Sequence, residues 1–221
     1  MKDTITMSKE TNKTTKKYND YVSVGNRTEQ FGYFIQHHDK NRMFEALLKT
    51  IDTKQILVLA KSKKSADGLT EYLQGKKIQS LCVHGNHRTA QIEDAQTAFN
   101  AKETTILITT NKILETLTLI DVGVVVNYDL PFESSNYFKA LLLVDEIGKS
   151  ISLIDPEDEG MLATIELMMK SEITEVEMEG FEQTTPSFTT QKDKTKKPRH
   201  KKVLQRAKRK AEIKSKWVPS N

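Results

Sequence analysis

Ile56-Leu57-Val58-Leu59-Ala60, followed at once by Lys61-Ser62-Lys63-Lys64, decides the fold. An unbroken run of five apolar residues reads as a strand covered on both faces, because a strand with one wet face alternates polar and apolar residues. From Ser65 to Gln74 the period becomes helical, with Ala66, Leu69 and Leu73 on one face. The same unit recurs. Leu81-Cys82-Val83 precedes a helix over Thr89–Asn100 that turns Ile92, Ala95 and Phe99 inward. Thr105–Thr109, Val122–Val126 and Ile151–Ile154 are further apolar strands. Upstream, Met43, Phe44, Leu47, Leu48 and Ile51 have helical spacing behind Asp39, a capping residue. Asp155-Pro156-Glu157-Asp158 opens a last helix, with a capping acid and a proline in its first turn. Apolar strands alternating with helices predict an α/β fold, a parallel sheet of about five or six strands flanked by helices. Ligands on such sheets bind beyond the carboxyl ends of the strands, which directs attention to residues 60–65, 84–90, 109–118 and 128–150.

The composition, 37% hydrophobic and 29% charged residues, is that of a globular chain with polar ends. No apolar run approaches the ~18 residues of a membrane span, and Met1-Lys2-Asp3-Thr4 leads into a polar stretch without a signal region. Cys82 is the single cysteine, which excludes an internal disulfide framework and fits a reducing compartment. A cytoplasmic location with no membrane partner is the expectation. The net charge of +4 hides an asymmetry. Residues 191–217 hold thirteen Lys or Arg and two acids, a net +11, while the rest of the chain nets −7. An acidic body with a basic tail suggests a tail that seeks polyanions.

Four regions follow. Residues 1–20 are polar and read as a disordered arm. Residues 21–181 carry the globular pattern. Residues 182–200, with Pro186 and Pro198, read as a linker, and 201–221 as a disordered basic tail able to form a helix with a thin apolar stripe.

The order and wording of the globular segments resemble the C-terminal RecA-like domain of DEAD-box RNA helicases, with the bacterial RhlE-like branch nearest. Ile56 to Lys63, followed by Ala66-Asp67 and Leu69, resembles motif IV; Val83-His84-Gly85-Asn86 resembles the family's His-Gly-Asn turn. Val125-Val126-Asn127-Tyr128-Asp129-Leu130-Pro131 resembles the strand and turn before motif VI and is the most specific match. The resemblance spans roughly Gln30 to Phe181 and implies a single RecA-like domain that binds RNA.

The departures bear on function. Motif V of the family has Ala-Thr-Asp and then Ala-Arg-Gly-Leu-Asp; here stand Thr109-Thr110-Asn111 and Leu114-Glu115-Thr116-Leu117-Thr118. Motif VI has His-Arg-x-Gly-Arg-x-x-Arg; here stands Lys139-Ala140-Leu141-Leu142-Leu143-Val144-Asp145-Glu146, without an arginine. The family's Gln-x-x-Arg is replaced by Thr89-Ala90-Gln91-Ile92. Arginines beside a transferring phosphoryl group are worth about 10³–10⁵ in rate, and acids there repel a triphosphate. The 221 residues also contain neither a phosphate-binding loop of the Walker type nor an Asp-Glu-Ala-Asp run. The expectation is therefore a helicase-like pseudoenzyme with no catalytic residue and no metal. No cofactor is expected either, ATP entering only if a partner supplies the nucleotide site. Leu141–Val144 reads as buried core or as a partner-facing patch. His84, His87 and Cys82 suit a turn better than a metal site, lacking a fourth ligand.

Sequence-nonspecific RNA is the expected partner, with a helicase, ribosome or RNA-degradation partner as further options. Through the resemblance, Lys61, Ser62, Lys63 and Thr110 are RNA-backbone candidates, and Arg88 stands near the lost arginine. In the tail, Lys196, Lys197, Arg199, Lys201, Lys202, Arg206, Lys208, Arg209 and Lys210 supply charge and Trp217 a stacking ring. If about five phosphates of a single strand are neutralised, log affinity falls against log salt with a slope of about −3.5. Two other readings are a subunit completing a helicase with a separate motor domain, and a protein-interaction module.

Overall fold

Every residue of Ile56–Ala60 is buried, as an all-apolar strand requires, and this strand lies in the middle of the sheet. The computed structural model describes residues 20–51 and 55–184, and of residues 145–147 the backbone alone. The elements run α1 (Tyr21–Arg27), β1 (Glu29–Phe34), α2 (Lys40–Leu48), β2 (Ile56–Ala60), α3 (Lys63–Gly75), β3 (Leu81–Val83) and α4 (Thr89–Asn100). There follow β4 (Ile106–Thr110), α5 (Asn111–Leu114), β5 (Val122–Asn127), α6 (Ser134–Leu141), β6 (Val144–Ile154), α7 (Glu159–Met169) and β7 (Thr174–Glu175). All strand pairs are parallel, in the order β3-β4-β2-β5-β6-β1-β7.

The sheet has seven strands rather than five or six. Both additions lie beyond β6: β1 beside it and β7 outside β1 at the edge. Neither has the continuous apolar run of a central strand; β1 reads Glu-Gln-Phe-Gly-Tyr-Phe with one buried residue, and both residues of β7 are exposed. β6 is also longer than its apolar core Ile151–Ile154, starting at Val144, and its pairing with β5 is irregular between Val122 and Val124.

Helices cover both faces. Met43, Phe44 and Leu47 of α2 and Ala66, Leu69 and Leu73 of α3 pack on one side against Val58, Ile108 and Val126. Ala95 and Phe99 of α4, Ile113 and Leu114 of α5 and Ala140 of α6 pack on the other against Leu57, Leu107 and Val125. A third cluster joins α6 and α7 through Tyr137, Phe138, Leu162 and Ile165, with Tyr21 of α1 against it. α1 and α7 meet so closely that a Cβ on Gly25 would lie 2.7 Å from Met169 Cβ, so only glycine fits there.

Side-chain caps set the starts of α3 and α1, whereas α7 begins after Asp158 without one. Ser62 Oγ accepts from Ser65 N at 3.1 Å and begins α3 two residues ahead of the apolar pattern. Asp20 takes Val22 N at 3.1 Å and Ser23 Oγ at 2.8 Å at the head of α1. Asp155 accepts from Glu157 N at 2.8 Å and Asp158 N at 3.1 Å, forming the turn into α7.

Candidate nucleic-acid interface

Since all seven strands point the same way, their carboxyl ends form one edge. Ala60 of β2 pairs with Thr110 of β4, and Val83 of β3 with Thr109, so the loops after β3, β4 and β2 stand side by side. Lys63 bridges the outer two: its Nζ bonds Asn86 Oδ1, and a Cβ on Gly85 would meet Lys63 Cε at 3.4 Å. Lys63 and Arg88 are exposed, as is Ser62, whose Oγ accepts a backbone bond and keeps its O–H free to donate. Arg88 occupies the N-cap of α4, where its backbone N–H donates to Gln91 Oε1 at 2.9 Å. Thr110 is 8% exposed and opens α5, so its place is under this row rather than on it. Residues 196 to 217 of the candidate set lie outside the described residues.

His84 is buried and holds the turn between β3 and α4. Asn86 N–H points to its Nδ1 at 3.4 Å, which leaves Nε2 to donate to Asp67 Oδ1 at 2.7 Å. His87 lies beside it, its Nδ1 accepting from His84 N at 3.0 Å. Asp67, Cys82 and His84 place their donor atoms within 4.8 Å of one another. Asp67, read in sequence only for the motif IV resemblance, reaches this turn from α3. The Asp67–His84 bond and the backbone bonds account for these side chains as turn supports. Burial pushes the Cys82 thiol up, against a thiolate ligand.

A second group was not foreseen in the sequence. Lys40, at the start of α2, is 0% exposed, and its Nζ lies 3.0 Å from Asp129, 3.1 Å from Asp155 and 3.3 Å from Asp158. Lys61 Nζ adds a second cation, 3.3 Å from Asp158 Oδ1, and sits 4.7 Å above the Phe132 ring. Burial works against the Lys40 ammonium, yet the three carboxylates outweigh it and hold its pKa above the ordinary value. Burial likewise works against the Asp155 carboxylate, and Lys40 outweighs it, so its pKa is lowered. The acids of residues 155–158 thus form a turn around the protein's own ammonium. The one hint in sequence was a lysine behind Asp39, which stands at the N-cap of α2 but, against expectation, makes no side-chain cap bond, its carboxylate going to Arg42 and Thr184.

The adjoining turn has a related role. Thr184 donates to Asp39 through its backbone N–H at 2.6 Å and its hydroxyl at 2.8 Å, and His38 Nε2 lies 2.9 Å from Thr184 O. Phe181 lies under Arg42, with 5.2 Å from guanidinium to ring centroid. The segment after β7 therefore runs back to the carboxyl end of β1, and residue 184 ends beside the Lys40 group.

The stretch in motif VI position is built into the protein. Ala140 is 0% exposed and packs with Leu143 and Val144 against Leu57, Val125 and Ile113. Leu141 is also buried, on the α7 side, whereas Leu142 is exposed. Leu141–Val144 is therefore mostly core. Lys139 Nζ pairs with Glu115 Oε1, a residue in motif V position. An arginine does reach this end of α6: Arg27 Nη2 donates to Leu141 O at 2.9 Å and Val144 O at 3.4 Å. Its bonds go to backbone carbonyls, so it caps the helix.

A parallel RecA-like sheet with cationic loops over adjacent strand ends is the architecture of the second domain of an RNA helicase. Residues 39–141 match the helicase conserved C-terminal domain, and the chain carries such a domain, of the kind found in DEAD-box RNA helicases. Similar proteins include ATP-dependent RNA helicase SUB2-2 of Vanderwaltozyma polyspora, 28% identical over 161 residues, 71% of this chain and 36% of that protein. A probable ATP-dependent RNA helicase, vasa-like, of Penaeus vannamei is 33% identical over 153 residues, 68% of this chain and 21% of that protein. Among solved structures, the E. coli DEAD-box protein SrmB bound to regulator of ribonuclease activity A superposes with a TM-score of 0.67 at 17% identity, over 74% of this chain and 98% of that one. The chain thus spans about a third or less of the length of these curated relatives. These similarities do not single out the RhlE-like branch.

Proposed function

We propose that the chain binds RNA through its backbone and does not hydrolyse ATP by itself. The observation that carries the reading is the fate of the motif VI positions: Ala140 and Leu143 stand where the family has arginines, and Ala140 is buried in the core while Leu143 is half-buried and packs against it. An arginine beside a transferring phosphoryl group stabilises charge at the surface of a cleft, a task no alanine or leucine performs. Arg27 does not replace them, because its bonds go to the backbone carbonyls of Leu141, at the end of α6, and Val144, at the start of β6. Glu115 brings a negative charge to a position where the family has a positive one.

The RNA part of the reading is supported by the loops over β3, β4 and β2. Lys63 and Arg88 display cations at the surface, and Ser62 a hydroxyl, the chemistry that contacts phosphate oxygens without reading bases. Thr184 lies at the same edge of the sheet, and the basic stretch of residues 191–217 follows it in sequence. The charge of that stretch makes it the main source of affinity in this reading.

The test has two arms. ATP turnover by the purified chain is expected at background with and without RNA; RNA-stimulated turnover abolished by a substitution in this chain would overturn the non-catalytic reading. Binding to labelled single-stranded RNA is expected to fall steeply with salt and to weaken strongly when the chain is ended after Thr184. Undiminished affinity on that truncation would remove the tail as the main binder.

A further inference from the structure

Phe132 is 73% exposed, yet the loop that carries it is firmly held. Asp129 and Leu130 just before it are buried, and Asp129 Oδ2 accepts from Lys61 N at 3.2 Å and from Ser65 Oγ. The backbone is thus fixed from both β2 and α3 while the ring faces solvent. A lone exposed aromatic is common and proves nothing by itself. Its surroundings set this one apart. Lys61 Nζ lies 4.7 Å from the ring centroid and is itself held 3.3 Å from Asp158 Oδ1, so a fixed cation supports the ring. Lys61 is followed in the chain by Ser62 and Lys63, the phosphate-contacting candidates.

The sheet order gives the geometry. β5, which leads into Phe132, pairs with β2 on the side opposite β4, with Leu59 beside Asn127. Arg88, Lys61–Lys63 and Phe132 therefore follow the carboxyl ends of β3, β2 and β5, with β4 and its buried last residue Thr110 between the first two. Such a row measures about 14 Å at the usual strand spacing, the reach of a few nucleotides of extended strand.

We propose that Phe132 is a stacking platform for a base of single-stranded RNA, extending the backbone track of Ser62, Lys63 and Arg88 beyond the carboxyl end of β5. The inference rests on the RNA-binding reading above and adds to it a contact to a base. A phenyl ring stacks on any base, so the site has no sequence preference. Lys61 beneath the ring fixes its plane and adds positive potential for the neighbouring phosphate. Of the carboxylates close by, Asp129, Asp155 and Asp158 are buried and turned to Lys40 and Lys61, which offset two of their three charges.

The experiment uses the full chain and a fluorescently labelled oligoadenylate, alongside an abasic ribose-phosphate oligomer of the same length. Phe132→Ala is expected to weaken oligoadenylate binding about 5- to 100-fold, the range for one stacked base, with the salt slope unchanged. Abasic binding should be the same for the two proteins, and Phe132→Trp should restore affinity. In a Trp217→Phe background the new tryptophan should be quenched by oligoadenylate. Because the side chain is exposed, thermal melting should not move, which separates lost stacking from lost folding. Equal oligoadenylate affinity for the parent and Phe132→Ala, or an equal loss on the abasic strand, overturns the platform and leaves the RNA-binding reading standing. Failure of the parent chain to bind either strand overturns both.

Discussion

Over β3, β4 and β2 the strand-end loops hold Ser62, Lys63 and Arg88 at the surface, whereas after β5 the segment in motif VI position holds Ala140 and Val144 in the core with Leu143 packed against it. One edge of one sheet has kept a polar, cationic face over its first strands and become apolar packing over its next. The family resemblance assigns the first part to RNA and the second to nucleotide. On the reading proposed above, the domain lacks the contacts for one ligand and keeps the scaffold for another. Arginines aimed at a phosphate are costly to stability when nothing neutralises them, and replacing them with leucine and alanine converts that cost into buried apolar area. Loops that meet phosphates in water carry no such cost and can persist.

The two parts are joined by Lys40, which faces Asp129 after β5 and Asp155 and Asp158 after β6, while Asp158 also holds Lys61 after β2. Breaking this seam should produce the largest effect. Lys40→Met leaves three buried carboxylates without their shared ammonium and is expected to cost about 3–5 kcal/mol, read from urea unfolding. A loss under about 1 kcal/mol would mean that the seam holds nothing together. The same group sets a pH window. Asp155 has its pKa lowered from 3.8, so its contribution is full above that value and is lost as pH falls through the still lower folded pKa. Lys40 is raised above 10.5, so its contribution is full below that value and is lost as pH rises through the higher folded pKa. Urea midpoints should therefore form a plateau bounded by acid and strong alkali. In Lys40→Met the alkaline fall assigned to this lysine should disappear.

Returning an arginine to the apolar part comes next. Ala140→Arg places a guanidinium at a fully buried position between β2, β5 and α5. It should cost about 3 kcal/mol through overpacking and an unpaired buried charge, and should not create ATP turnover. A stable, ATP-hydrolysing Ala140→Arg protein would show that the family's cleft still exists beneath the leucines.

The parallel fold was legible because central parallel strands are apolar on both faces, and Ile56–Ala60 and Ile106–Ile108 have that signature. The same logic hid β1 and β7, one with a single buried residue and the other with none, so neither carries the pattern. The lost arginines could be read from position alone, since they needed only the order of motifs. Lys40 could not, because its partners Asp129, Asp155 and Asp158 stand some ninety to one hundred and twenty residues away in sequence. Ser62 was singled out for RNA; its role as the cap of α3 appears only with the coordinates, and the two roles use different lone pairs and protons of one hydroxyl.

On the polar part, Lys63→Ala and Arg88→Ala together should leave stability within about 0.5 kcal/mol, since both are exposed. They should make the salt slope of RNA binding shallower by about 0.7 for each phosphate contact removed. An unchanged slope would assign all the phosphate contacts elsewhere and reduce these loops to solvated connectors.

The smallest effect lies where the two motifs touch. Lys139 and Glu115 form an ion pair with side chains 50% and 53% exposed, in positions where the family has a histidine and an arginine. Water screens such a pair, so a double-mutant cycle with Lys139→Ala and Glu115→Ala should return a coupling of about 0.2–1 kcal/mol that fades with salt. Its meaning is larger than its energy. Two positions that in the family serve the nucleotide here neutralise each other, so neither charge is left for a triphosphate. If the cycle gave no coupling and Glu115→Arg raised ATP affinity, Glu115 would be a block on a surviving site and not half of a pair that replaced it.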